Sequence, residues 1–270
     1  MKKLMLGNEA AARGLYEAGC ALISSYPGTP STEITERAAQ YDEIYCEWAP
    51  NEKVAMEVAF GAALAGKRSA CVMKHVGLNV AADPLFTIAY TGVNAGMVIC
   101  VADDPGMHSS QNEQDSRHYA VSAKIPMLEP ADSAEARDFA KRAFELSEEY
   151  DTPVFLKLCT RISHSQSIVE LGQRVEPARR PYEKDIAKYV MVPGNARPRH
   201  PIVEERTRRL TAFAETTDLN REEMGEDTSI GIITSSTSYQ YAREVFGPKA
   251  SILKLGLVNP LPKQKILDFA

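Results

Sequence analysis

The sequence lacks an excess of basic residues and lacks long apolar runs. Acidic residues (36) outnumber lysines and arginines (31), and the formal charge at neutral pH is -5. Phosphate backbones and anionic membrane surfaces attract basic patches, so we expect neither nucleic acid nor a membrane as a partner. The apolar start of the chain is interrupted at Gly7, too early for a signal peptide, and no other stretch reaches membrane-spanning length.

Cysteines are few and far apart in the sequence. The five are Cys20, Cys46, Cys71, Cys100 and Cys159. This spacing argues against a disulfide framework and against a local zinc or iron–sulfur motif, whose ligands come in close clusters. We therefore expect free thiols in a reducing cytoplasm and no metal site among these residues.

Short apolar runs alternate with segments of helical periodicity. The runs typical of buried strands are Cys20–Ser25, Ser69–Met73, Met97–Ala102 and Thr152–Leu158. The segments typical of helices, three of which start with an Asn or Asp cap, are Asn8–Ala18, Asn51–Ala65, Val80–Tyr90 and Asp132–Tyr150. This alternation predicts an α/β fold with a doubly wound parallel sheet and helices on both of its faces.

Composition divides the chain into three parts. Residues 1–165 hold the alternation described above. Residues 166–227 are rich in Arg, Glu and Pro, and we interpret them as a surface connector with one amphipathic helix at Glu204–Met224. Residues 228–270 contain a strand–helix–strand unit and a final helix, the start of a second, Rossmann-like α/β domain. Two strands and two helices cannot cover both faces of a sheet, so we expect this domain to be incomplete and the chain to be a fragment.

The first chemically informative stretch follows the first predicted strand. Tyr26-Pro27-Gly28-Thr29-Pro30-Ser31 lies where a strand ends and a helix begins. Ligands bind at this edge of doubly wound sheets, because loops and helix N-termini present amides and hydroxyls there. The alternative is a stiff turn in which Ser31 or Thr32 caps the helix and Thr29 only satisfies the backbone.

The second informative feature is a carboxylate at the start of an almost wholly apolar helix. Glu52 lies in the first turn, and small or apolar residues then continue to Gly66, so the helix should be buried or packed on another subunit. Glu52 either complements the helix dipole, as acidic residues at N-termini do, or is a desolvated carboxyl that holds a proton for a ligand.

Together these stretches resemble the 2-oxoacid:ferredoxin oxidoreductase family, most nearly the large subunit of its indolepyruvate type. The pattern Tyr-Pro-x-Thr-Pro-Ser matches at Tyr26–Ser31, and a Glu before a helix that ends Gly-Ala-x-x-x-Gly matches at Glu52–Gly66. Both occur together with Lys74–Asn79 and Ala102–Gly106, and the likeness extends over the whole chain.

The resemblance implies the fold and the roles of individual residues. The fold is the pyrimidine-domain type of thiamine diphosphate enzyme, followed by a transketolase C-terminal-like domain. The catalytic residue is Glu52, which bonds N1′ of the aminopyrimidine. The residues implied to contact the substrate are Thr29, His75 and Asp104. The residues implied to contact the cofactor, besides Glu52, are Tyr26, Pro27, Gly77 and Asn79.

One departure from the family bears on the substrate. Pyruvate-specific relatives hold the substrate carboxylate with an arginine at the end of the third strand, where this chain has Asp103-Asp104. The resemblance therefore points to aryl pyruvates. Alternatively, the acidic pair only caps the turn that begins at Pro105. The polar loop Met107–His118 that follows lines the active site, meets a partner subunit or is a solvated surface loop, and its histidines lack partners at zinc-ligand spacing.

The implied activity is oxidative decarboxylation of an aryl pyruvate to an acyl-CoA, with thiamine diphosphate bound by its pyrimidine end. The Gly-Asp-Gly segment that holds the diphosphate and Mg in relatives, and the cysteines of their 4Fe-4S clusters, do not occur in these residues. Expected partners are therefore diphosphate-binding and ferredoxin-like domains or subunits, a smaller gamma-type (beta) subunit, ferredoxin, the 2-oxo acid and CoA, in an oligomer. The chain alone should be inactive.

Two other functions stay open. The pyrimidine-binding subunit of a non-oxidative thiamine diphosphate decarboxylase would share Glu52, need no clusters and release an aldehyde. A non-catalytic α/β module would bind a nucleotide or a partner protein, but no Gly-x-Gly-x-x-Gly turn follows any predicted strand, which weakens the dinucleotide version.

Overall fold

Twelve strands and twelve α-helices make up the chain, which a computed structural model describes over residues 1–270. The strands are β1 Lys2–Leu6, β2 Leu22–Ser25, β3 Tyr45–Trp48, β4 Ser69–Lys74, β5 Met97–Asp103, β6 Met127–Leu128, β7 Val154–Cys159, β8 Gln166–Glu170, β9 Asn220–Glu223, β10 Gly231–Ser235, β11 Ser251–Leu255 and β12 Leu257–Asn259. The helices are α1 Gly7–Glu17, α2 Thr32–Ala38, α3 Glu52–Leu64, α4 His75–Val80, α5 Ala82–Thr91, α6 Arg117–Ala123, α7 Ser133–Tyr150, α8 Thr160–His164, α9 Ile186–Tyr189, α10 Pro193–Thr216, α11 Ser236–Phe246 and α12 Lys263–Phe269.

Seven strands form one mostly parallel sheet. Their order is β12-β6-β7-β5-β4-β2-β3, and β12 alone runs antiparallel to its neighbour. The four runs predicted as buried strands are β2, β4, β5 and β7, which lie side by side in the centre. The predicted α/β fold with a doubly wound parallel sheet is confirmed.

Helices cover both faces of this sheet because its central strands are apolar on both sides. Ala70 and Val72 of β4 join the core under α1 and α7, whereas Cys71 and Met73 join the core under α3 and α5. Successive side chains of a strand point to opposite faces, so a strand buried on both faces must be apolar at every position.

The sequence pattern does not predict β1 or β3. β1 pairs antiparallel with β8 in a separate two-stranded sheet, and four of its five residues are at least partly exposed. β3 is the edge strand of the main sheet and exposes Tyr45 and Trp48. Because neither strand is buried on both faces, neither has the continuous apolar run that marks the central strands.

The helix predicted at Glu204–Met224 is wrong in its bounds. Helix α10 begins at Pro193 and ends at Thr216, and β9 follows it. Pro198 and Pro201 lie inside α10. Proline normally breaks or kinks a helix interior. For this reason the sequence pattern does not predict the first turns of α10.

Part of the predicted surface connector is buried, because α10 packs against α5 through arginines. Arg199 Nε donates to the Tyr90 carbonyl (2.9 Å), and Arg206 Nη2 donates to the Ala89 carbonyl (2.6 Å). These carbonyls lie in the last turn of α5, where a helix has no internal donors for them. Burial lowers the pKa of Arg206 to about 10.

The last part of the chain forms a small sheet that is tied to the main one. β10 is parallel to β11, β9 is antiparallel to β11, and β12 leaves this unit to pair with β6. The proposed division at residues 165 and 227 remains a prediction. No helix anywhere in the chain combines the length and the apolar character needed to span a bilayer.

Candidate active site

The candidate residues gather at the carboxyl edge of the parallel sheet. Tyr26–Ser31 follows β2, Glu52 begins α3 after β3, α4 follows β4, and Asp104 follows β5. These four strands are adjacent and lie about 4.8 Å apart, so the segments that follow them form one continuous surface. Helix α3 packs against β2 and β4, which brings Glu52 beside α4.

The turn after β2 is held by its own hydrogen bonds. The Ser31 hydroxyl donates to the Gly28 carbonyl (2.8 Å), and the Gly28 amide donates to the Thr32 hydroxyl (2.8 Å). Three side chains are exposed and take no part in these bonds, those of Tyr26, Pro27 and Thr29. The Thr29 hydroxyl is therefore not used by the backbone of the turn.

Glu52 is a largely buried residue whose carboxylate has no partner in the chain. It is 8% exposed, and it makes neither a side-chain hydrogen bond nor a salt bridge. Asn51 caps the helix instead, since its Oδ1 accepts from the Val54 amide (3.0 Å), and Lys53 pairs with Asp83 (2.8 Å). The helix dipole favours an acidic residue at this position but does not require its burial.

The lack of a side chain at Gly77 makes room for this carboxylate. A Cβ placed at Gly77 would lie 2.5 Å from Glu52 Oε1 and 2.6 Å from its Cγ. Both distances are well below the separation at which carbon atoms pack, about 3.5–4.0 Å. Any other residue at this position would displace the Glu52 side chain. The contribution of Gly77 is therefore to leave space for the Glu52 carboxylate.

His75 and Asn79 lie on the same short helix as Gly77. His75 is fully buried, with Nε2 2.9 Å from the Asn112 carbonyl oxygen, and its Nδ1 has no hydrogen-bond partner. Asn79 is exposed, and its Oδ1 accepts from the Tyr119 hydroxyl (2.7 Å). The fold thus places both residues on the short helix that carries Gly77, and His75 keeps one ring nitrogen unused.

Asp104 uses its carboxylate within the chain. Oδ2 accepts from the Ser109 amide (2.7 Å) and the Ser110 hydroxyl (2.8 Å), and Oδ1 accepts from the Thr160 hydroxyl (2.7 Å). Burial opposes the charge, but these bonds lower the pKa of Asp104 to about 2. The contacts agree with the alternative in which the residue holds the turn after β5, and they give the predicted substrate contact of Asp104 no support.

Sequence reasoning misses a second cluster, which is centred on Lys157 in β7. Its Nζ lies 2.8 Å from Glu129 and 3.3 Å from Asp103, and Arg117 and the Ser235 hydroxyl also bind Glu129, each at 2.8 Å. Burial opposes both charges, yet the mutual attraction lowers the pKa of Glu129 and raises that of Lys157. The one signal in the sequence is a lysine within a predicted apolar strand.

This cluster lines a cavity of about 500 Å³, and a second cavity of similar volume lies next to the first and shares Thr237 with it. The more polar one is bounded by Asp103 and Ser236, and the other by His108, Arg161 and Tyr241. The polar loop after β5 borders both cavities, and its expected place at the active site stays a prediction. Glu52 and Thr29 line neither of these cavities.

Curated relatives and a solved structure resemble the chain over nearly its whole length. An indolepyruvate oxidoreductase subunit IorA from Archaeoglobus fulgidus is 44% identical over 99% of the chain and 45% of its own length, and the subunit of the same name from Methanothermobacter marburgensis is 46% identical over 98% and 44%. A solved 2-oxoglutarate:ferredoxin oxidoreductase from Magnetococcus marinus superposes with a TM-score of 0.82 at 19% identity, covering 99% of this chain and 56% of that one. The chain thus spans less than half the length of these curated relatives.

A family profile also matches most of the chain. Its description is pyruvate flavodoxin/ferredoxin oxidoreductase, thiamine diphosphate-binding, and it matches residues 13–229, which include the turn at Thr29, the helix of Glu52 and the short helix of Gly77. The chain belongs to the family of thiamine diphosphate-binding domains of pyruvate flavodoxin/ferredoxin oxidoreductases.

Proposed function

We propose that this chain binds the pyrimidine end of thiamine diphosphate in an indolepyruvate:ferredoxin oxidoreductase, which oxidises aryl pyruvates to acyl-CoA. The observation that carries the proposal is the carboxylate of Glu52, which is buried, unpartnered and seated against Gly77. A carboxyl group in this setting fits a ligand that carries a weakly basic ring nitrogen. The similarity to indolepyruvate oxidoreductase subunits supports the choice of substrate.

In this proposal the residues of this chain hold a proton and orient the cofactor and the substrate. When bound, thiamine diphosphate provides an acidic thiazolium carbon that adds to the carbonyl group of a 2-oxo acid. Glu52 holds the proton that it shares with N1′ of the pyrimidine, and the low exposure of the carboxyl strengthens that bond. Thr29 donates its free hydroxyl to the 2-oxo acid, and Gly77 keeps Glu52 in place.

The remaining cofactor contacts are assigned to the exposed residues around this pair. We propose that Tyr26 and Pro27, on the turn, and Asn79, on the short helix α4, border the pyrimidine, while the free Nδ1 of His75 lies toward the substrate. Asp104 instead stabilises the loop after β5 through its hydrogen bonds to Ser109 and Ser110.

The rest of the enzyme is proposed to complete the site. The exposed side chains of the turn, those of Tyr26, Pro27 and Thr29, fit coverage by a diphosphate-binding domain, and the relatives are more than twice as long as this chain. Ferredoxin-like domains with 4Fe-4S clusters, a smaller subunit, ferredoxin and CoA are the further partners that the reaction requires. The free cysteines fit a reducing cytoplasm.

The test is Glu52→Gln in the complete protein with its partner subunits. We expect reduction of a viologen dye by indolepyruvate to fall by about 100-fold or more, because a proton-transfer group typically contributes that factor. The matched control is Glu57→Gln, which changes an exposed carboxylate on the same helix and should leave the rate unchanged.

Circular dichroism of both variants establishes that the fold is intact. Dye reduction by Glu52→Gln at the wild-type rate would rule out the role of this residue. Release of an aldehyde by the wild-type protein without dye reduction would instead indicate a non-oxidative decarboxylase.

A further inference from the structure

Lys74 is a partly buried cation without a carboxylate partner at the candidate active site. It is the last residue of β4, between β2 and β5. Its Nζ donates to the carbonyl oxygen of Ser109 (2.8 Å) and forms no salt bridge. An ammonium group has three donors, so two remain for a ligand.

Close packing holds this lysine against the turn that carries Thr29. A Cβ placed at Gly28 would lie 2.7 Å from Cδ of Lys74 and 3.0 Å from its Cγ. The aliphatic stem therefore crosses the backbone of Gly28 in direct contact. The stem thus contacts the turn that carries Thr29, and the ammonium group binds the loop after β5.

Most other cations at this edge of the sheet are already paired. Lys53 binds Asp83, and Lys157 and Arg117 both bind Glu129. Arg161 also lacks a partner, but it follows β7, two strands farther along the sheet, and lines a different cavity. Lys74 is thus the unpaired cation that lies beside the Thr29 turn.

We propose that Lys74 binds the carboxylate of the 2-oxo acid. This inference rests on the proposed function, which supplies the class of substrate. A 2-oxo acid carries a carboxylate next to its reacting carbonyl group. The site therefore needs a cation that binds the carboxylate and, close to it, a hydrogen-bond donor for the carbonyl oxygen. Lysine acts as a point charge and does not fix the plane of the carboxylate as a bidentate arginine does.

A binding experiment without turnover tests this role. Calorimetry on the complete protein with thiamine diphosphate compares 3-(indol-3-yl)propionate, which has a carboxylate but no reacting carbonyl, with its uncharged carboxamide. We expect the wild type to prefer the carboxylate by about 10- to 100-fold, as a hydrogen bond to a charged group contributes, and Lys74→Met to lose that preference. Methionine keeps most of the apolar stem, and Lys74→Arg should retain part of the preference.

Two further variants separate charge from structure. Gly28→Ala keeps Lys74 in the sequence but shifts its aliphatic stem. This variant should weaken binding of the carboxylate and not of the carboxamide. Lys67→Met removes a lysine at the opposite end of β4, where it pairs with Glu176 (3.6 Å), and should have no effect.

Steady-state kinetics supply a second readout. Lys74→Met should raise KM for indolepyruvate about 10-fold or more with a smaller change in kcat, the pattern of lost substrate binding. An unchanged carboxylate preference in Lys74→Met, or no preference in the wild type, overturns the assignment of Lys74. A failure of the proposed function is distinguishable from this result, because the Glu52→Gln variant would then reduce the dye at the wild-type rate.

Discussion

Two groups of charged residues lie at the same edge of the sheet, and they differ in whether their charges are paired. Around Lys157, each charged group has a partner of opposite charge within the chain. At the candidate active site, Glu52 has no partner and Lys74 binds one carbonyl group. An unpaired and largely buried carboxylate is unfavourable for folding, so Glu52 is the residue for which we propose a ligand, whereas the paired charges around Lys157 fit a structural role.

The largest effect on stability is expected from breaking the paired cluster. Lys157→Met leaves Asp103 and Glu129 buried together without their shared cation, and should lower the free energy of unfolding by about 3–5 kcal/mol. Urea unfolding of the protein measures this change. Glu52→Gln is the comparison, because it removes a carboxylate that has no partner and should change the same quantity by less than about 1 kcal/mol. Equal losses in the two variants would contradict the distinction between the clusters.

A smaller effect on stability is expected at Gly77. Gly77→Ala introduces a methyl group into the space of the Glu52 side chain, and moving that side chain should cost about 1–3 kcal/mol. Thiamine diphosphate affinity should fall as well, since the carboxylate is displaced. Gly61→Ala is the control, because no atom lies within 4 Å of its added Cβ and alanine favours the helix. Unchanged cofactor affinity in Gly77→Ala would show that Glu52 does not need this position.

The smallest effect, and the one that depends on pH, is expected at Asp104. Its pKa is lowered from 3.8 to about 2 in the folded protein, so the charged form stabilises the fold above pH 3.8. That contribution is lost as the pH falls toward 2. Asp104→Asn should therefore be less stable than the wild type at pH 6, by about 1 kcal/mol, and the difference should shrink as the pH falls through 2. Urea unfolding at several pH values follows the difference, and a gap that does not depend on pH would contradict the proposed charge state.

Much of the fold follows from local sequence patterns. The central strands are apolar at successive positions and are bounded by Gly, Pro or charged residues, so β2, β4, β5 and β7 are predictable, as is the alternation with helices. The exposed edge strand β3 and the proline-containing start of α10 are not predictable from the sequence. Their residues lack the apolar pattern that marks buried strands and helices.

The sequence by itself determined the parallel sheet, the turn that carries Thr29 and the position of Glu52 in the first turn of an apolar helix. Those are properties of neighbouring residues. The tertiary structure decided that the Glu52 carboxylate lies against Gly77, that Asp104 holds a loop, and that Lys74 stays unpaired while Lys157 is neutralised. Pairing of charges depends on which strands are adjacent, and that adjacency is set by the packing of segments far apart in the chain.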